Sequence, residues 1–226
     1  MKLRTLLGAG ILIGATVLIT SEVFSRDAGT ATAPAQRQGG DSGPGADVES
    51  QIETLVRYAM PGKHHRLLNQ MAGSWDTVTR YWPNPVTPPV QAEGTSQRKW
   101  ILGGRFLLEE LDGGDLALPF RGLGLYGYDR FERKYTSAWV DSMSTAIMTN
   151  RGTYDEANRV VNFVGRYGDP WTGVKKKSRG VTRFVNDNKH VLDLYVQEAD
   201  GRESKLLEIV YTRKSPERDK NLPQRE

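Results

Sequence analysis

The side chains best placed by type and spacing to do chemistry are carboxylates set among large apolar neighbours. Trp139, Asp141 and Met143 alternate along the chain, so an extended backbone puts all three on one face. A carboxylate beside an indole and a thioether is what a small barrel interior built for a ligand presents. The competing reading has Asp141 capping the turn at 142 to 144, or facing water. Arg105 and Glu109 flank Leu107 on one face and can meet as an internal ion pair or orient a ligand's polar end; surface placement fits them equally. Glu208 lies between Leu206 and Val210 on an otherwise apolar face, which makes it the better candidate for an inward carboxylate. Such a group needs a partner, for which Arg105, Arg183 and Tyr195 are available. Tyr126 shares a face with Phe120, Gly122 and Gly124, where the glycines mark tight curvature or an aromatic ring lying across the backbone. The candidate ligand-binding set is therefore Arg105, Glu109, Tyr126, Trp139, Asp141, Met143, Tyr195 and Glu208.

The composition excludes much else. There is no cysteine, hence no disulfide, thiolate metal site or cysteine nucleophile. Of the 3 histidines, His64 and His65 are adjacent, about 100° apart on a helix, and cannot clasp one metal. His65 is expected to hydrogen-bond into a barrel end, and His190, beside a turn, to be exposed. No Gly-rich phosphate loop, nucleophile elbow or spaced ligand set occurs, so no catalytic residues, metal or cofactor are assigned. The 31 Lys plus Arg against 27 Asp plus Glu give +4, too mild an excess to call for nucleic acid. The dense basic run Lys175, Lys176, Lys177 with Arg179 reads as solvated edge-strand charge that discourages edge pairing.

The elements that must position these residues follow from composition and punctuation. Residues 1–25 read as a signal peptide or an N-terminal membrane anchor: Lys2 and Arg4 precede an uncharged apolar run over 6–19, the length of a signal core and short for a span. Either reading exports the rest, to the periplasm or beyond, with membrane contact only through that segment. Residues 26–46 are Gly, Ala, Pro, Thr and Ser rich and read as a disordered linker. The folded domain is expected over 47–214, with a charged tail over 215–226. It opens with a helix burying Val48, Ile52, Leu55, Val56 and Ala59, with Ser50 and Glu53 as a capping box, and continues in a short helix over 63–71. Ten candidate strands follow, at 74–82, 90–101, 105–111, 118–127, 135–142, 146–154, 159–167, 176–186, 189–198 and 203–213, separated by hairpin-sized turns. The fold class is all-β: an antiparallel up-and-down barrel of about ten strands, since a meander without crossovers loses its edges by closing on itself.

Gly73-Ser74-Trp75 resembles the G-x-W opening of the calycin barrels, the lipocalins and their relatives. The resemblance implies that Trp75 covers one barrel end against an Arg of the last strand, here Arg213, with Gly73, Trp75 and Arg213 as the structural signature. The chain more closely resembles the uncharacterised bacterial family of domain of unknown function 1579. The residues carrying that likeness are Pro61-Gly62 with His65, Gly73-x-Trp75, residues 101–107 around Gly103-Gly104-Arg105, Gly122 through Asp129, Trp139-x-Asp141-x-Met143, residues 152–155, and Glu208-Ile209-x-Tyr211-Thr212-Arg213. It implies an architecture and no activity. A haem site, which some calycin relatives build on a histidine, would have to recruit His190 or His65 and is not expected. The first functional expectation is a binding module for one small, mainly apolar ligand inside the barrel. The alternatives are a hydrolase or isomerase using inward Asp141 or Glu208, and an envelope structural protein with a filled barrel.

Overall fold

Turn chemistry sets the connections of the barrel. In the computed structural model, which describes residues 44–115 and 118–215 with side chains from 47 onward, the hairpin at 102–104 runs through left-handed backbone at Leu102, Gly103 and Gly104 (φ 49°, 67° and 80°). Asp129 closes another by accepting the N–H groups of Phe131 and Glu132, an Asx turn that reverses the chain in few residues. The strands so joined are β1 (Gly73–Tyr81), β2 (Val90–Ile101), β3 (Phe106–Asp115), β4 (Pro119–Asp129), β5 (Lys134–Asp141), β6 (Met148–Asp155), β7 (Val160–Gly168), β8 (Lys175–Asn186), β9 (Lys189–Gln197) and β10 (Glu203–Arg213). Each pairs antiparallel with its sequence neighbours, and β1 pairs with β10, closing a ten-strand barrel. Closure leaves no free edge, so the edge-strand reading of the lysine run falls. Lys176 instead lies opposite Tyr167 on the inward face and binds Asp169 and Glu198.

The two ends of the barrel differ. Helix α2 (Lys63–Leu68) and the turn after it cover the end where β1 begins and β10 finishes, burying Leu68 and Met71 against Leu107, Tyr135, Val161, Phe163 and Phe184. His65 is buried at the covered end, but its hydrogen bond stays within α2 and does not reach the barrel: Nδ1 accepts the Gly62 N–H at 3.1 Å, capping the helix. The opposite end, where β1 finishes and β10 begins, is the mouth.

Helix α1 (Pro44–Ala59) departs from expectation. It starts at Pro44, inside the stretch read as linker and ahead of the Ser50 and Glu53 box. Its apolar stripe is uncovered, with Val48, Ile52, Leu55 and Val56 all more than half exposed. The physical reason is that α2 already seals the barrel end. Among the described residues, what holds α1 is its C-terminal end alone, on the β4–β5 turn: Arg130 donates to the Arg57 and Met60 carbonyls, and Tyr58 stacks on Phe131 at 4.3 Å. No helix among the described residues is long and apolar enough to cross a membrane. The proposed signal or anchor, nearly all of the linker and nearly all of the tail lie outside the described residues.

Candidate functional site

Alternation sends Thr77 and Thr79 of β1, Ser96 and Arg98 of β2, Glu109 of β3, Tyr126 of β4, His190 of β9 and Tyr211 of β10 into the lumen. There they form one buried polar cluster. Arg98 donates from Nη2 to Glu109 Oε1 at 2.8 Å and from Nη1 to His190 Nε2 at 2.7 Å. Ser96 Oγ donates to the same Glu109 oxygen and Tyr126 Oη to the other, each at 2.8 Å. The Arg98 guanidinium lies 4.3 Å over the Tyr211 ring, His190 stacks on Tyr211 at 4.4 Å, and Trp75 meets His190 edge-on at 4.4 Å. Arg98 and Glu109 are 3% and 0% exposed, so neither charge is watered and each depends on the other.

The protonation states follow from these contacts. Burial disfavours the Arg98 cation, but Glu109 beside it outweighs burial and its pKa is raised. Burial, then the Arg98 and Arg213 charges, push His190 well below its ordinary value, so the ring is neutral. Because Arg98 can only donate, His190 Nε2 accepts and its proton sits on Nδ1. Burial, then the Glu109 charge, raise the Tyr126 and Tyr211 hydroxyls, which stay protonated as donors. Four atoms of the cluster have no hydrogen-bond partner among the described residues: His190 Nδ1, Arg98 Nε, Thr77 Oγ1 and Thr79 Oγ1. All four can donate.

Above this floor, toward the mouth, part of the inward wall is apolar and only partly buried: Phe120, Trp139, Leu192 and Leu207 pack on the Trp75, Leu111, Ile209 and Tyr211 cluster, while Asp141 and Lys176 face inward nearer the rim. At the rim, burial works against the Asp169 charge, but Lys176, the Trp171 N–H and the Thr172 hydroxyl outweigh it and hold the carboxyl at about 2. A carboxyl lowered on folding contributes stability above its unfolded value of 3.8 and loses it as pH falls through about 2. Unfolding curves of the wild type and Asp169→Asn are therefore expected to differ at neutral pH and to converge toward pH 2; a gap independent of pH would remove the ion-pair account.

The sequence-predicted residues are distributed as follows. Glu109 and Tyr126 are in the floor and bonded to each other. Trp139 and Asp141 face inward beside Gly124 and Gly122; Trp139 Nε1 donates to Asp141 at 2.9 Å, and Asp141 also accepts the Met143 N–H. Asp141 is thus both an inward group and the turn cap. Met143 does not join them: β5 has ended, and the side chain is 55% exposed. Arg105 is in the β2–β3 turn, donating to the Leu102 carbonyl, so Glu109's partner is Arg98. Glu208 points outward, opposite Arg80, and binds Arg80 and Lys205. Burial works against its charge, but those two cations outweigh it and its pKa is lowered. Tyr195 is outward too, under the Arg179 guanidinium at 4.5 Å. His190, expected at the surface, is 1% exposed. Thr77, Thr79, Ser96, Arg98, His190 and Tyr211 are the members of the site that sequence reading missed. A hollow of about 690 Å³ on the wall from β2 to β5 is lined mainly by outward polar groups, Gln97, Glu110 and Arg121 among them, and offers no enclosed apolar site.

The signature residues lie together at the covered end. Arg213 Cζ is 4.1 Å over the Trp75 ring. Gly73 has φ +114°, and a Cβ there would meet Arg213 Nη1 at 2.6 Å, so position 73 takes only glycine. A closed antiparallel barrel with a buried charged cluster in its floor and one helix-covered end defines the class of this protein. Within that class the chain belongs to the family described as protein of unknown function DUF1579, whose model matches residues 60–213. Among solved structures it is similar to that of Rv2717c from M. tuberculosis, at 13% identity and a TM-score of 0.49, covering 69% of this chain and 100% of that one. No curated protein matches it.

Proposed function

We propose that this protein is an exported binding module that holds one small, mainly apolar ligand in the upper half of the barrel. The observation that carries the reading is the incomplete burial of side chains that point inward there: Phe120, Trp139, Leu192 and Leu207 face the lumen yet stay partly open. A barrel filled by its own residues would bury them as fully as Leu107 or Ile209, at 0% and 2%. The four unpartnered donors beneath supply a polar end for such a site, since a buried donor left unpaired costs about 1–3 kcal/mol. The export part of the proposal rests on residues 1–25 of the sequence.

Gly180 gives the test. It faces inward opposite Leu194 and Phe163, and an added Cβ would make only ordinary contacts, 3.6 Å to Phe163 and 3.8 Å to Leu192. The neutral fluorophore N-phenyl-1-naphthylamine is expected to bind the wild type with enhanced emission. In Gly180→Leu that binding should be lost while stability changes by less than about 1 kcal/mol, because the new side chain takes the ligand's space. A filled barrel gives the opposite pattern: no binding by the wild type, and a cost of about 1–3 kcal/mol from overpacking.

A further inference from the structure

At the mouth, the connection between β7 and β8 holds large apolar side chains out in water. Trp171 is 78% and Val174 57% exposed. They are not carried on a slack loop. Asp169 N–H donates to the Val174 carbonyl, Gly173 N–H to the Asp169 carbonyl, and Trp171 N–H to Asp169 Oδ1, at 3.0, 2.9 and 2.9 Å. Asp169 is itself nearly buried and tied to Lys176 at 3.0 Å. A half-buried ion pair thus anchors a turn whose product is an exposed indole, an arrangement that folding alone does not call for.

Charge sits directly behind this tip. The segment 166–179 holds Arg166, Lys175, Lys176, Lys177 and Arg179 against the single acid Asp169. Lys176 and Arg179 are engaged by carboxylates. Among the described residues Arg166, Lys175 and Lys177 have no carboxylate partner and all three are exposed. The pattern runs from apolar tip to cationic collar within one hairpin. Other connections at the mouth add apolar groups, Val86 at 91% and Ile147 at 72% exposed.

We propose that the β7–β8 hairpin docks the barrel mouth on an anionic lipid surface, with Trp171 and Val174 entering the interface and Arg166, Lys175 and Lys177 meeting the headgroups. Indoles settle at the boundary between water and acyl chains, lysine stems bury methylenes while the ammonium stays with phosphate, and each such cation adds to the attraction of an anionic leaflet. A protein partner is the weaker fit. A stable interface needs about 1,000 Å² of complementary surface, whereas two apolar tips ringed by unpaired cations suit a fluid, charged plane. The docking is independent of whether the lumen holds a ligand.

The absence of cysteine makes a site-specific test direct. Full-length Val174→Cys and, at the opposite end, Leu102→Cys (Leu102 is 68% exposed) are each labelled with nitrobenzoxadiazole. Each is then titrated with vesicles of phosphatidylcholine alone and of phosphatidylcholine with phosphatidylglycerol in equal parts. The label at 174 should brighten and shift to the blue with the mixed vesicles and hardly respond to the neutral ones, while the label at 102 should respond to neither. Added salt should reverse the response. Changing Lys175 and Lys177 to Gln should lower partitioning about fivefold each, as about 1 kcal/mol per surface cation implies. Repeating both titrations with Lys175 and Lys177 changed to Gln separates the hairpin from any attraction exerted by residues 6–19, which those substitutions leave intact. The proposal is overturned by no response at 174, by an equal response at 102, by equal responses to neutral and anionic vesicles, or by a response that needs no lipid and grows with protein concentration, which would indicate a second copy on the tip.

Discussion

Glu109→Ala is expected to destabilise the protein by about 3–5 kcal/mol, the cost of leaving a buried charge without its partner. Arg98 would keep its proton, since a guanidinium is too basic to give it up to the neutral His190 ring, and would lose its carboxylate. Ser96 and Tyr126 would lose the acceptor of their hydroxyl hydrogens in the same step. The pair is not expected to be the source of net stability. Desolvating both ions offsets most of their attraction, so Arg98→Met combined with Glu109→Leu should recover most of what Glu109→Ala removes. Urea unfolding at constant m-value measures both variants. A single-variant cost under about 1 kcal/mol would mean that the pair is solvated and that the floor of the lumen is open. A double variant as unstable as the single one would mean that the charges position His190 and Tyr211 more than they neutralise each other.

The barrel was legible because each strand is bounded by its own punctuation. Most of the Gly, Asn and Asp clusters that end the candidate segments are the turns observed, and most strand boundaries fall within two residues of expectation; the exception is Gly113-Gly114, where β3 runs on to Asp115 through an irregularity in its pairing. The site was less legible because alternation shows two faces without saying which is inside. In β2 both faces are polar: Glu93, Thr95, Gln97 and Lys99 on one, Gly94, Ser96 and Arg98 on the other. Nothing in the pattern lifts Arg98 above its neighbours. In β10 both faces are apolar, so Leu206, Glu208 and Val210 looked like a lumen face until pairing with Asp193 and Arg80 set Leu207, Ile209 and Tyr211 inward. Tyr195 falls outside because it alternates on β9 with inward Leu192, Leu194 and Val196 and pairs with outward Arg179. Arg105 and Met143 failed for a different reason. Each lies just beyond a strand end, where alternation no longer governs. His190 begins its strand beside a turn, as an exposed residue would, but that end is the one Trp75 and α2 cover.

Trp75→Ala is expected to cost a further large amount, about 3–5 kcal/mol, because three kinds of contact end together. The indole is 0% exposed, so its removal leaves a cavity between α2 and the polar floor that the rigid barrel wall cannot close. Its Nε1 donates to the Met71 carbonyl at 2.9 Å, the bond that ties the α2 exit to β1. Its ring face carries Arg213, which donates to the Ala72 and Gln70 carbonyls at 2.7 and 3.2 Å and to the Asp187 carbonyl at 2.9 Å. Trp75 therefore packs a guanidinium that in turn holds two backbone segments, 70–72 and 187, at the covered end. Trp75→Phe keeps a ring beneath Arg213 and loses the hydrogen bond and part of the volume, so its cost should be clearly smaller than that of Ala. Arg213→Lys keeps the charge but loses the planar fork that reaches several carbonyls at once, and should destabilise even with Trp75 intact. Thermal and urea unfolding of the three variants give the order. If Trp75→Ala and Arg213→Lys proved additive in the double variant, the two residues would be stabilising the barrel end separately; a double variant little worse than Trp75→Ala alone is the outcome the stacked geometry requires.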